Sequence, residues 1–343
     1  MISKRIYRMT MCTAILSAGT GGSARGQRTE VVSEAHAKGI VVLRASFPTR
    51  GELHSFAVEM SLDGESFADA RVGPLRGLRL ADEMVRGAGD SGAETTLVVP
   101  VVGRFDFTPQ GFLFSGAGVY ELRWDIAFYD REVGDLKIEQ TVHVRPPREA
   151  DLDFIASAGD RHFLKEVFGV EPPEGGTTDL LALAFIGELV RHAVDDPGEE
   201  GHVPVKLESA APLMLVANEH SDSSYAPYTA YYAARIYLQE LIRLPGLGNL
   251  TPAAADHELY RKADEALRFT VERADPFLKP RALCTLAYLR MCAASWHEAE
   301  SYLARAEESA GGQGNVLACT KKLRGDLVRI RERRNPAPVD DNQ

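Results

Sequence analysis

At Pro146-Pro147 the hydrophobic pattern of this 343-residue chain changes period. Apolar residues recur at every second position before the pair and at every third or fourth position after it. The first spacing buries one face of a strand, the second one stripe of a helix. A single switch of this kind predicts two domains in series. An all-β sandwich is expected over residues 37–147 and an all-α domain over 148–334.

In the first stretch, residues 40–47 read as a short apolar strand. Residues 55–62 alternate Phe56, Val58, Met60 and Leu62 against polar neighbours and end in the turn Asp63-Gly64. Residues 95–102 are a further strand, with Pro100 pointing to an edge or a bulge. Phe105 and Phe107 alternate next. The clearest strand is 118–129, where Tyr120, Leu122, Trp124, Ile126 and Phe128 share one face and Glu121, Arg123 and Asp125 the other. Leu136, Ile138, Val142 and Val144 form the last. A succession of about seven short strands without a helical pattern among them predicts a β-sandwich.

Beyond the prolines, Leu152, Phe154, Ile155, Phe163, Leu164 and Val167 fit one interrupted helix or two short ones. Thr177 or Thr178 can cap the next, over 179–194. Helices are expected over 206–218, 225–244, 253–274, 280–294, 296–310 and 315–334, with 335–343 a disordered tail.

Two segments carry resemblances. Gly118-Val119-Tyr120-Glu121-Leu122 resembles the tyrosine-corner segment of an immunoglobulin-like domain, with Leu122 where the antibody-type cysteine would stand. That resemblance implies that the Tyr120 hydroxyl bonds back to the preceding turn. Leu283, Leu286, Ala287, Ala294, Trp296, Ala299, Leu303 and Ala306 resemble the packing positions of a tetratricopeptide repeat. The family's aromatic is missing at Arg290, and Glu307 replaces an apolar residue. Tyr260 and Ala263 repeat Trp296 and Ala299, and the segment from His220 to Tyr237 is similar to repeats of envelope-assembly lipoproteins. With the join Val144-Arg145-Pro146-Pro147, the whole resembles exported bacterial proteins in which an immunoglobulin-like domain precedes a degenerate helical repeat domain. The resemblance implies a location and a fold, and no activity. Repeat arrays of this kind bind peptides along the inner face of each first helix. Carried onto this chain, that face is Arg281, Cys284, Tyr288 and Met291.

The N-terminus has the order of a secretory signal: Lys4, Arg5 and Arg8, then the apolar stretch 9–18, then small residues. Ala24-Arg25-Gly26 suits cleavage before Gln27, and Gly22-Ser23-Ala24 is a second option. Residues 1–26 are therefore expected to direct export, to a periplasm or beyond the cell. Cys12 sits inside the apolar core, without the leucine and small residues of a lipoprotein anchor. The formal charge of −10 becomes −14 once Lys4, Arg5, Arg8 and Arg25 are removed, which argues against nucleic acid as a partner. No later segment offers the roughly 20 apolar residues of a membrane span. Cys284 and Cys292 are two helical turns apart, too far to bridge within one helix, so buried free thiols are expected, with Cys319 able to join at most one disulfide.

His257-Glu258 and His297-Glu298 each begin a zinc-protease motif, but Arg261 and Ser301 stand where its second histidine is needed. His220, Asp222, Ser223 and Ser224 crowd one loop, whereas a hydrolytic triad converges from different elements. Ser223 or Ser224 reads as a cap for the helix that follows. No catalytic residue, metal ligand or cofactor is assigned. Residues 321–334 carry a charge of +5, which suits a helix C-terminus or an anionic partner. The expectation is a non-catalytic exported binding or scaffold protein, with a protein or peptide of the cell envelope on its repeat face. The alternatives are an envelope hydrolase with a site at the domain junction, or a purely structural component.

Overall fold

The computed structural model describes residues 27–48, 53–62, 71–72, 89–90, 94–106, 108–128, 134–169, 171–172, 174–194, 206–244 and 252–334. The expected signal and tail lie outside the described residues.

The strands are β1 (Arg28–Val31), β2 (Val41–Pro48), β3 (Leu53–Leu62), β4 (Arg71–Val72), β5 (Gly89–Asp90), β6 (Glu94–Val101), β7 (Gly103–Asp106), β8 (Thr108–Phe112), β9 (Gly118–Phe128) and β10 (Leu136–Val144). They form one sheet in the order β1-β2-β6-β5, a second in the order β10-β9-β3-β4, and the ribbon β7-β8, with all pairs antiparallel. In β10 every second residue from Leu136 to Val144 is buried and those between are exposed, so one face is wet. Trp124 stands opposite Ile138 on one side and Val58 on the other. Its indole N–H donates to Gln140 Oε1 at 3.0 Å, which satisfies its one polar atom inside the core. The Tyr120 hydroxyl donates to the carbonyl of Gly116 at 2.8 Å, the local bond implied for it.

Strands β2 and β6 have a different pattern. Val41, Val42, Leu43, Ala45 and Phe47 are buried, as are Leu97, Val98, Val99, Pro100 and Val101. A near-continuous apolar run belongs to a strand covered on both faces. Phe47 meets Phe128 of the second sheet edge to face at 6.2 Å. The opposite face meets a turn between two helices: Arg44 and Thr96 pack so close to Gly311 and Gly312 that a Cβ there would lie 2.8 Å and 3.2 Å from them.

The helices are α1 (Glu149–Ala158), α2 (Arg161–Phe168), α3 (Thr178–Val194), α4 (Ala210–Glu219), α5 (Ala226–Arg243), α6 (Glu258–Arg273), α7 (Leu278–Cys292), α8 (Trp296–Ser309) and α9 (Gly314–Arg334). Their ends follow local chemistry. Asp160 caps α2 by accepting from the N–H groups of His162 and Phe163, and Gly169 ends it at φ 70°. His257 caps α6, its Nδ1 accepting from Leu259 N–H at 3.1 Å. Pro227 opens α5, where an N–H has no intrahelical partner in any case.

Helices α6 and α8 bury a single stripe, Tyr260, Ala263, Ala266, Leu267, Thr270 and Val271 in the first and Ala299, Leu303 and Ala306 in the second. By contrast, every residue of α5 from Ala226 to Leu238 is buried, and in α7 every residue except Lys279 and Tyr288. A helix buried all round is surrounded by other elements.

These facts correct the expected fold class of an all-β immunoglobulin-like sandwich followed by a separate all-α domain. Nine α-helices accompany two small sheets and a ribbon among the described residues, and no all-β sandwich stands apart. Buried residues of strands and helices belong to one continuous core, from Ile40 and Trp124 through Phe154 and Tyr231 to Leu327. The physical reason is the second apolar face of β2 and β6, which needs cover that the strands do not supply. The ribbon contributes in the same way, since Gly103 lets the Leu183 side chain of α3 approach its backbone.

Candidate functional site

The residues expected to form a partner face lie inside the molecule. Arg281 is 3% exposed, Cys284 and Met291 are buried, and Tyr288 is half-buried and packed on the core. The inner side of α7, which an open array would present to a peptide, is covered here. Arg281 lies flat against its own helix start, with its guanidinium 3.8 Å from the Phe277 ring centroid. It donates to the Phe277 carbonyl at 2.8 Å and to the Gln313 side chain, whose amide donates in turn to the Pro276 carbonyl at 2.9 Å. Burial lowers its pKa to about 10.

Next to it is a half-buried carboxylate. Asp275 Oδ1 accepts from the N–H groups of Phe277 and Leu278 at 2.8 and 3.0 Å, and Oδ2 accepts from the Tyr228 hydroxyl at 2.8 Å. These bonds fix the start of α7 against α5. Burial holds the Asp275 carboxyl above the ordinary aspartate range, against the pull of its three donors and Arg281. Burial, and then the Asp275 charge, raises Tyr228 well above the usual phenol value, so it stays a donor.

Asp275 binds its proton more tightly in the fold than in the unfolded chain. Its titration therefore favours the fold at low pH, and that advantage is lost as pH rises through the folded value. Tyr228→Phe removes one donor from the carboxylate. It is expected to cost little in acid, where Asp275 is neutral, and about 1–3 kcal/mol near neutral pH. Unfolding midpoints of both proteins from acid to neutral pH check this; a difference that does not change with pH would refute the assigned role.

Arg290 pins three helices. Its guanidinium donates to the Tyr260 hydroxyl and to Asp264 Oδ1 on α6, and Nε lies 2.7 Å from a Glu298 oxygen on α8. The rings of Tyr260 and Tyr302 flank it at 5.6 and 5.7 Å. Although burial alone would lower its pKa, Tyr260 and Asp264 raise it above the ordinary arginine value. Arg290, where the resemblance implies an aromatic, places its planar cation between two tyrosines.

A third cluster joins strands to helices. Asp151 is wholly buried on the inward stripe of α1, beside Phe154, Ile155 and Ala158. Its Oδ1 accepts from Ser223 Oγ at 2.9 Å, Ser224 N–H at 2.7 Å and Ser224 Oγ at 3.0 Å. Arg148 completes the set, donating at 2.9 and 3.2 Å. Ser224 Oγ also accepts from the Ile40 N–H at 3.2 Å, and Tyr225 donates to the Lys38 carbonyl. Lys38 itself pairs with Asp179 of α3 at 2.6 Å.

Chemically, this cluster is a strut. A serine nucleophile needs a base ready to take its proton, whereas Asp151 already accepts from both hydroxyls, an amide and a guanidinium. His220 is not part of it; its Nε2 is 2.9 Å from Ser157 Oγ on α1. The loop that holds a histidine, an aspartate and serines thus directs its histidine and its serines to different partners. Among the described residues no three His, Cys, Asp or Glu side chains gather as a metal site would require.

No family model, curated protein or solved structure matches this chain. The arrangement of its residues is therefore the ground for a functional reading. Asp151, Lys38 and Arg290 are the residues with the most consequential contacts that were not singled out as such from the sequence. For Asp151 a signal was available: a charged residue falls on an otherwise apolar helical stripe.

Proposed function

We propose that this chain is a non-catalytic, exported binding or scaffold protein whose helical part recruits another protein of the cell envelope. The observation that carries the reading is where its reactive-looking groups are used. Asp151 with its serines, Asp275 with Tyr228, and Arg290 with Asp264 each tie two or more elements together. Held by such ties, sheets and helices form one body, and its outward helix faces are what it offers to others. No helix among the described residues is long and apolar enough to cross a membrane.

The test uses the chain from Gln27 onward as bait in an envelope extract, with quantitative cross-linking and mass spectrometry. A stoichiometric, saturable partner is the expected result. Recovery of no partner, together with turnover of an envelope ester, amide or glycoside, would replace this reading with the hydrolase. Export has its own check. N-terminal sequencing of the protein recovered outside the cytoplasm should begin at Gln27, or at Arg25 from the second cleavage option, and a retained Met1 would contradict the signal.

A further inference from the structure

With the inner faces of α5 and α7 covered by the chain itself, a partner has to dock on an outer face. We propose that the outer face of α9 is that surface and that it receives an acidic amphipathic helix of another protein. This rests on the recruiting function proposed above and names its site and the chemistry of its partner.

At 100° per residue, Leu317, Lys321, Arg324, Gly325, Val328, Arg331 and Glu332 fall on about one third of the circumference of α9. Leu317 is 40% exposed and Val328 50%, two apolar side chains three turns or roughly 16 Å apart. Lys321 and Arg331 are exposed on the same stripe, while Arg324 is engaged by Glu307 of α8 at 2.7 Å. Midway lies Gly325. A Cβ there would meet nothing within 4 Å, so no packing within the chain requires a glycine, which weakens a helix by roughly 0.5–1 kcal/mol relative to alanine. What it does is leave bare backbone between the two apolar residues, where another helix can approach closely.

Charge selects the occupant. The chain as a whole is acidic, yet this stripe carries three cations, Lys321, Arg324 and Arg331, against one carboxylate, Glu332. A second α9 would set like charges against each other. An anionic lipid surface would meet the repulsion of the remaining acidic chain, with two apolar side chains too few to anchor a helix there. An acidic helix with leucines three turns apart matches both the charges and the apolar pair.

The probe is a fluorescent peptide that forms a glutamate-rich amphipathic helix, compared with a scrambled peptide of the same composition and with phosphatidylglycerol vesicles. The full chain from Gln27 should bind the helical peptide in a salt-sensitive manner. Lys321→Glu with Arg331→Glu, and separately Val328→Ser, should each weaken binding about tenfold or more. These side chains are exposed, so unchanged thermal unfolding will show that the variants fold. Equal binding of the scrambled peptide, unaltered binding by the variants, or preference for vesicles would overturn the proposal. So would a dimer of the chain that the charge reversal abolishes. Repeating the envelope capture with the charge-reversed variant separates the two claims. A partner kept by the variant sinks the α9 site alone, and a blank with the unaltered chain sinks the recruiting function.

Discussion

Replacing Asp151 with alanine is expected to destabilise the whole molecule by about 2–4 kcal/mol, chiefly because buried donors lose their acceptor, since Arg148 is 35% exposed and water can take the place of the carboxylate there. The side chain is fully enclosed, and its loss leaves Arg148, two serine hydroxyls and the Ser224 N–H without their acceptor. Typical domains are stable by only about 5–15 kcal/mol, so the variant should stand near its unfolding midpoint under mild denaturant. Asp151→Asn keeps an acceptor oxygen but loses the ion pair, and should fall between the two. Urea titrations can follow Trp fluorescence and far-ultraviolet circular dichroism together. Trp124 is fully buried in the second sheet and becomes its sole fluorescent reporter once Trp296 of α8, the chain's other tryptophan, is replaced with Phe in every protein compared, while the dichroism is dominated by helices. Since Asp151, Ser224 and Ile40 link α1, the loop before α5 and the start of β2, both signals should move to lower urea together. Separate midpoints in the unaltered protein would show that strands and helices unfold independently, against the continuous core.

The second large effect is expected at Arg290. Arg290→Ala should cost about 2–4 kcal/mol, from the lost pair with Asp264 and the lost contact with two tyrosine rings. Glu298 is mostly exposed and adds little, since water replaces the guanidinium there. Arg290→Lys is the informative companion. It keeps the charge but not the planar fork that reaches the Tyr260 hydroxyl and Asp264 while lying between the Tyr260 and Tyr302 rings, and should recover less than half of the loss. Equal stability of the lysine variant and the unaltered protein would show that charge alone matters. The measurement is the denaturation midpoint of each variant, with the slope of the transition checked for constancy.

Individual elements were more legible in the sequence than their assembly. The alternation from Tyr120 to Phe128 and from Leu136 to Val144 predicts two strands that the structure contains, because one wet face forces a period of two. Stripes in α6 and α8 were readable for the corresponding reason at the helical period. A run of strands does not by itself make a self-sufficient β domain. Val41, Val42 and Leu43, followed by Leu97, Val98 and Val99, show by their unbroken apolarity that both sheet faces need cover, and periodicity does not say what supplies it. The same limit applied to the partner face. Arg281, Cys284, Tyr288 and Met291 do lie along one helix, but a helical pattern cannot tell an open groove from a filled one. Arg290 read as a defect because an arginine in place of an aromatic is ambiguous until the tyrosines beside it are placed in space.

The close seat of Gly311 and Gly312 on Arg44 and Thr96 has a bearing on how the protein is made. Strand β2 leaves the ribosome long before the turn that covers it. Until then that face of β2 and β6 lacks this cover, and Val42, Val98 and Pro100, which share it with Arg44 and Thr96, add apolar area of the kind that seeds aggregation. A ribosome or translocase that stops short of α8 would release a species liable to clump, in place of a smaller working module. Holding chaperones, or folding only after release of the finished chain, would be the cell's means of crossing that interval.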